Sequence, residues 1–171
     1  MPHSFERLAP QGAEKAAPMP ARARGLSGVF SRLVQQHRET LLLLGHAEAA
    51  TDPAERQELW RTLRKELLSH EKAEMIAVYG ALDETATRDI APRHGEAALA
   101  LEAAIGAVDL GGYSAPNWAD LIRQLSAMLQ QHVEEEEHEF FPRALEALGR
   151  NAAEELDARY VAVKEREIER L

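Results

Sequence analysis

Four stretches of this chain repeat apolar residues at helical spacing, and each sets one histidine on its apolar face. With about 100° of turn per residue, His37 lies about 40° from both Leu33 and Leu41. His70 follows Leu67 by three and precedes Ile76 by six, which also sets it inward. His94 precedes Ala98 by four and Leu101 by seven, on a line that continues to Ile105 and Val108. His132 follows Leu129 by three and Leu125 by seven. A purely apolar core gains nothing from four imidazoles, because each needs a polar partner once buried. The pattern therefore constrains the fold and the chemistry together.

The helices can be bounded from their breakers. The first spans about 27–50, with Val29, Phe30, Leu33, Val34 and Leu44 beside His37. Asp52 and Pro53 then supply an N-cap and a first helical residue for a second helix reaching about Tyr79. "DETATRD" at 83–89 is a polar connection, and a third helix with Pro92 in its first turn runs to about Asp109. After the break "LGGYSAPN" a fourth helix spans about 116–141, where Pro142 should kink or interrupt it. Residues 144–148 continue helical to Gly149, and residues 151–171 form a last helix with Leu156, Tyr160 and Val163 on one side. That side suits packing or a homodimer contact. No strand pattern competes, and the short connections predict an all-α, up-down-up-down four-helix bundle over 27–148. Residues 1–25, with four prolines and little periodicity, read as a flexible arm.

Composition removes several classes of function. A net charge of −9 opposes nucleic-acid binding, and the absence of cysteine excludes disulfides, thiolate metal sites and cysteine nucleophiles. No apolar run is long enough to span a membrane. No secretory signal pattern is evident either, which leads to the expectation of a cytoplasmic location.

The remaining histidines fall elsewhere. His46 lies about 180° from His37 and His138 about 240° from His132, so both should face solvent, and His3 is in the arm. Carboxylates complete the inward set. Glu74 follows His70 by four, and Glu136 follows His132 by four, one turn along the same face. Glu71 lies at the edge of that face. The acidic run in "HVEEEEHEFFP" admits a solvated reading for most of its members. In that run Glu135 is an alternative to Glu136, while Glu134 and Glu137 are expected at the flanks. Helices two and four are also alike: Leu67 and Leu129 precede the histidine by three, and Tyr79 and Phe141 follow it by nine. Four histidines and two or three glutamates from four helices suit two metal ions sharing carboxylates, with iron, manganese or zinc as the matching metals. No residue is assigned a catalytic role.

The order His37 … His70-Glu71-x-x-Glu74 … His94 … His132-x-x-x-Glu136-Glu137-x-x-x-Phe141-Pro142 resembles the hemerythrin-like, or HHE cation-binding, domain, over about residues 27–148. The resemblance implies a four-helix bundle around two iron ions with an oxo or hydroxo bridge. It implies His37, His70, His94 and His132 as terminal ligands, Glu74 and Glu136 as bridges, and Glu71 as an extra terminal ligand. The oxygen-carrying members have a second histidine four residues from the one on the third helix. Here those positions are Ile90 and Ala98. With Glu71 in the open place, as in an iron- and oxygen-sensing branch of the family, the site is more anionic and favours ferric iron. The resemblance thus implies reaction with, or sensing of, O2, peroxide or nitric oxide, with oxidase- or catalase-like turnover in view. The alternative is a non-catalytic module that senses or holds iron.

Overall fold

Helix α1, Val29–Ala49, begins immediately after Gly28, whose φ of 56° lies in the left-handed region. A Cβ at Gly28 would overlap the carbonyl of Ala153 on the last helix, so the chain needs glycine there for both conformation and space. Gly28→Ala should destabilise the fold by about 2–4 kcal/mol, combining left-handed strain with overpacking. A denaturant titration would measure this, and a midpoint matching the unmodified chain would contradict it.

The computed structural model describes residues 25–82, 88 and 91–171; the expected arm, apart from Gly25, and most of the 83–89 connection lie outside the described residues. Helix α2, Pro53–Ala77, starts as the sequence leads one to expect. Asp52 accepts a hydrogen bond from the Glu55 N–H at 3.0 Å, and Pro53 occupies the first turn. It ends two residues earlier than expected, and Tyr79–Ala81 forms a 3₁₀ turn. Helix α3 is Ala91–Gly111. Helix α4, Trp118–Glu135, runs through a π-helical turn, Glu136–Phe140, into α5, Phe141–Leu148. Gly149, with φ of 80°, separates it from α6, Arg150–Arg170.

Every described element is helical, and no strand occurs among the described residues. Helix α1 packs on α2 and α4, and α3 packs mainly on α4. Helix α6 lies against α2 and α1, and its apolar side, Leu156, Tyr160 and Val163, is buried there against the same chain. The side expected to suit a homodimer contact is thus already covered. No described helix is long and apolar enough to cross a membrane.

The core has two separate apolar clusters. One contains Phe30, Leu33, Val78, Phe140, Phe141 and Tyr160. The other contains Leu44, Trp60, Leu63, Ile105, Trp118 and Leu125. Both tryptophans belong to this second cluster and are buried. Their indole N–H groups are satisfied at 2.7 Å, Trp60 by the Asp109 carboxylate and Trp118 by the Ala47 carbonyl. Between the clusters lies a layer of buried histidines and glutamates. One inward assignment is not met: Ile76 is half-exposed, because α2 ends one residue later and its final turn is only partly covered.

Candidate metal centre

Four helices bring the sequence-selected residues to one buried layer. His37 comes from α1; His70, Glu71 and Glu74 from α2; His94 from α3; His132 from α4; and Glu136 from the first position of the π turn. All are buried except His70, which is half-buried, and Glu74 is wholly inaccessible. His46 and His138 are exposed, as their helical phase requires. Glu134 and Glu135 are exposed too, whereas Glu136 is buried.

The side chains form two groups. In one, His37, His70 and Glu74 each offer a donor atom within 4.8 Å of the others; in the second, Glu71, His94 and His132 do the same. Glu136 lies between them. Its Oε2 is 3.2 Å from His37 Nε2, while its Oε1 is 3.0 Å from His132 Nε2 and 3.3 Å from His94 Nδ1. Glu71 sends one oxygen to each histidine of its group, 3.1 Å to His94 Nε2 and 3.2 Å to His132 Nε2. On the other side, His70 Nε2 is 3.1 Å from His37 Nε2 and 3.6 Å from Glu74.

These atoms converge without satisfying one another. Glu71 Oε1, both oxygens of Glu74 and Glu136, and the Nε2 atoms of His94 and His132 are buried with no hydrogen-bond partner. Leaving buried polar atoms unpaired costs about 1–3 kcal/mol each. A set of donors aimed at shared points, with that cost unrelieved by its own members, fits one or two cations and nothing apolar.

The protonation of each member is set by its burial and its neighbours in the layer. Burial alone would raise Glu136, but the neighbouring His132 and His37 hold its carboxyl well below the ordinary range. Glu71 is opposed by burial in the same way, and its contacts with His132 and His94 bring it to about 2. Glu74 goes the other way: burial, with the charges of Glu136 and Glu71, pushes it well above the ordinary carboxylate range. Burial disfavours a charged His132, yet Glu136 and Glu71 carry it up to about 11. His37 is raised by Glu136 and Glu137 against its burial. For His70, burial and the charge of His37 bring it down to about 3.

One expectation is corrected. Glu137, expected at the flank, is buried, and its Oε1 lies 3.0 Å from His37 Nδ1. The π turn is the reason. In an unbroken α-helix the Pro142 ring would clash with the His138 carbonyl, and Pro142 has no N–H to give it. The chain instead widens, and the Phe141 N–H bonds to the Glu136 carbonyl five residues back. The extra residue in that turn lets two successive glutamates face inward. A carboxylate on the outer nitrogen of a histidine fixes the tautomer that leaves the other nitrogen free for a metal.

Other neighbours carry no signal in the sequence. Gln36 Oε1 lies 3.1 Å from His70 Nδ1 and accepts a 2.6 Å hydrogen bond from the Tyr160 hydroxyl, which is itself 3.1 Å from His70 Nδ1. Helix α6 therefore reaches the site through Tyr160. Phe141 stacks on His37 at 5.8 Å and Tyr79 on His94 at 4.4 Å between ring centroids. In uninterrupted helices each ring would sit about 180° from the histidine nine residues before it. The 3₁₀ turn at Tyr79 and the π turn before Phe141 bring them inward. Burial, with the charges of Glu74, Glu136 and Glu71, pushes the Tyr79 hydroxyl far above its ordinary range.

Fold and site together define a helical-bundle protein with two groups of buried imidazoles and carboxylates that could each hold a cation. The comparison with known families makes the assignment specific. The chain belongs to the hemerythrin HHE cation-binding domain family, whose profile matches residues 29–144. That span holds every residue of both donor groups together with Glu136, and it stops short of α6. Neither a curated protein nor a solved structure shows significant similarity to the chain.

Proposed function

We propose that this chain is a non-haem di-iron protein of the hemerythrin-like type, which reacts with or senses O2, peroxide or nitric oxide. The observation that carries this reading is Glu136, whose two oxygens face the two donor groups separately. His37, His70 and Glu74 would hold one iron and Glu71, His94 and His132 the other, with Glu136 between them; the family likeness implies that Glu74 also bridges and that an oxo or hydroxo group completes the site. In the same reading the four long helices of 27–148 run up-down-up-down, with the arm and the last helix as additions. Iron supplies the redox change and the open coordination position. The protein supplies the rest: Glu137 orients His37, Gln36 and Tyr160 orient His70, and the apolar clusters on either side limit water. The anionic donor set favours the ferric state, which suits reaction over reversible oxygen carriage.

A second reading is a module that holds or senses iron without turnover. It is favoured by the Tyr160 hydroxyl of α6, which donates to Gln36 and lies 3.1 Å from His70 Nδ1, tying a helix outside the matched span to the site. Metal analysis of natively purified protein separates these readings when followed by anaerobic reduction and exposure to air, then peroxide. About two irons per chain are expected, as in other His/Glu bundle sites, with an optical change on oxidation. Peroxide turnover selects the first reading, and a metal-dependent change in helix content without turnover selects the second. Stoichiometric zinc with no optical response would overturn both.

A further inference from the structure

Tyr79 and Phe141 occupy matching places, nine residues after His70 and His132, each stacked on an imidazole of the site. Phe141 supports His37 with no hydroxyl, so the support itself does not require one. The Tyr79 hydroxyl therefore has no explanation in packing. It is buried and has no hydrogen-bond partner among the described residues, whereas a buried phenol ordinarily finds one. Its ring stacks on Phe140, at 4.2 Å and 11° from parallel, and on His94, at 4.4 Å, which fixes the direction of the hydroxyl. Tyr79 also lines one small pocket with His94, His132 and Glu136. Glu71, Glu74, Glu136, His94 and His132, the candidate donors themselves, also carry buried atoms without a hydrogen-bond partner.

We propose that the phenol oxygen of Tyr79 is a further ligand atom for the cation held by Glu71, His94 and His132. The proposal rests on the metal-binding reading of the site and extends its donor set beyond histidine and glutamate. On binding ferric iron a metal–oxygen bond forms, the phenol O–H bond breaks, and the proton leaves to solvent. A phenolate is a strong donor to ferric iron and is used as such in haem proteins.

The test is to load the full chain with ferric iron and record its visible absorption and resonance Raman spectra. A phenolate-to-iron charge-transfer band with enhanced phenolate ring modes is expected. Tyr79→Phe should lose both while still binding iron, since Phe141 shows that the ring alone suffices for packing. Tyr113→Phe, whose ring packs on Trp118, should keep both. Iron bound by the unmodified chain without that band overturns the proposal and leaves the metal-binding reading standing, and so does a band that survives in Tyr79→Phe. Failure to bind any metal removes both. The unmodified chain alone decides the first point, so the test does not depend on the variant folding.

Discussion

Glu136→Ala is expected to strip the protein of most of its metal from both donor groups together. Its two oxygens face His37 on one side and His94 and His132 on the other, so no single neighbour can replace it. The loss of affinity should exceed the roughly 10–100-fold typical of removing an outer partner of a ligand. Glu137→Ala should fall in that intermediate range, because its carboxylate contacts the far nitrogen of His37. Glu134→Ala should change little, because Glu134 is exposed. Metal content per folded chain, measured for the three variants under one loading protocol, checks the order. Equal content in Glu136→Ala and Glu134→Ala would overturn the register given to this helix. Removing one partner of a buried charge pair also costs about 3–5 kcal/mol. Circular dichroism should therefore accompany the metal analysis, and Glu136→Gln, which keeps the shape, separates lost ligation from lost fold.

Removing the metal should lower thermal stability by an amount that depends on cation concentration. A cation present at a hundred times its dissociation constant stabilises the folded state by about 2.7 kcal/mol. For a chain of this length that corresponds to a Tm shift of roughly 5–10 °C. Melting curves with and without a chelator, repeated at rising metal concentration, measure it. The two apolar clusters are separate and flank the buried polar layer, so the effect should register in the whole helical signal and not in one segment. A Tm unchanged by chelation would mean that the layer is stable on its own charges, and the di-iron reading would lose its energetic basis.

The sequence exposes the parts of the site that depend on regular helices. His37, His70, His94 and His132 are legible from phase alone, and Glu74 and Glu136 from their position one turn beyond a histidine. The start of α2 is readable from Asp52 and Pro53 because capping is local chemistry. What escapes lies where the helix departs from 100° per residue. Measured by an α-helical ruler, Glu137 is a flank residue; it becomes a partner of His37 only because the π turn inserts an extra residue. Pro142 is the available signal, but it announces that the helix must change, not how. Tyr79 stands out in the sequence only as a repeat of Phe141, and the 3₁₀ turn decides where its ring goes. Gln36 and Tyr160 have no local signal, since 124 residues separate them and only the packing of α6 brings them together.

That packing also bears on where the working unit ends. The family match closes at Ala144, inside α5, yet His70 is oriented by Tyr160 of a helix that begins at Arg150. Lys164, four residues further on, is buried beside Glu66 of α2, with its amine 2.6 Å from the carboxylate. A fragment cut at the end of the match would keep every donor of the two groups and lose the residue that steadies one of them. It would also bare the side of α2 that α6 now covers. The stretch that identifies the family and the stretch that packs as one body therefore have different lengths, and the second is the longer.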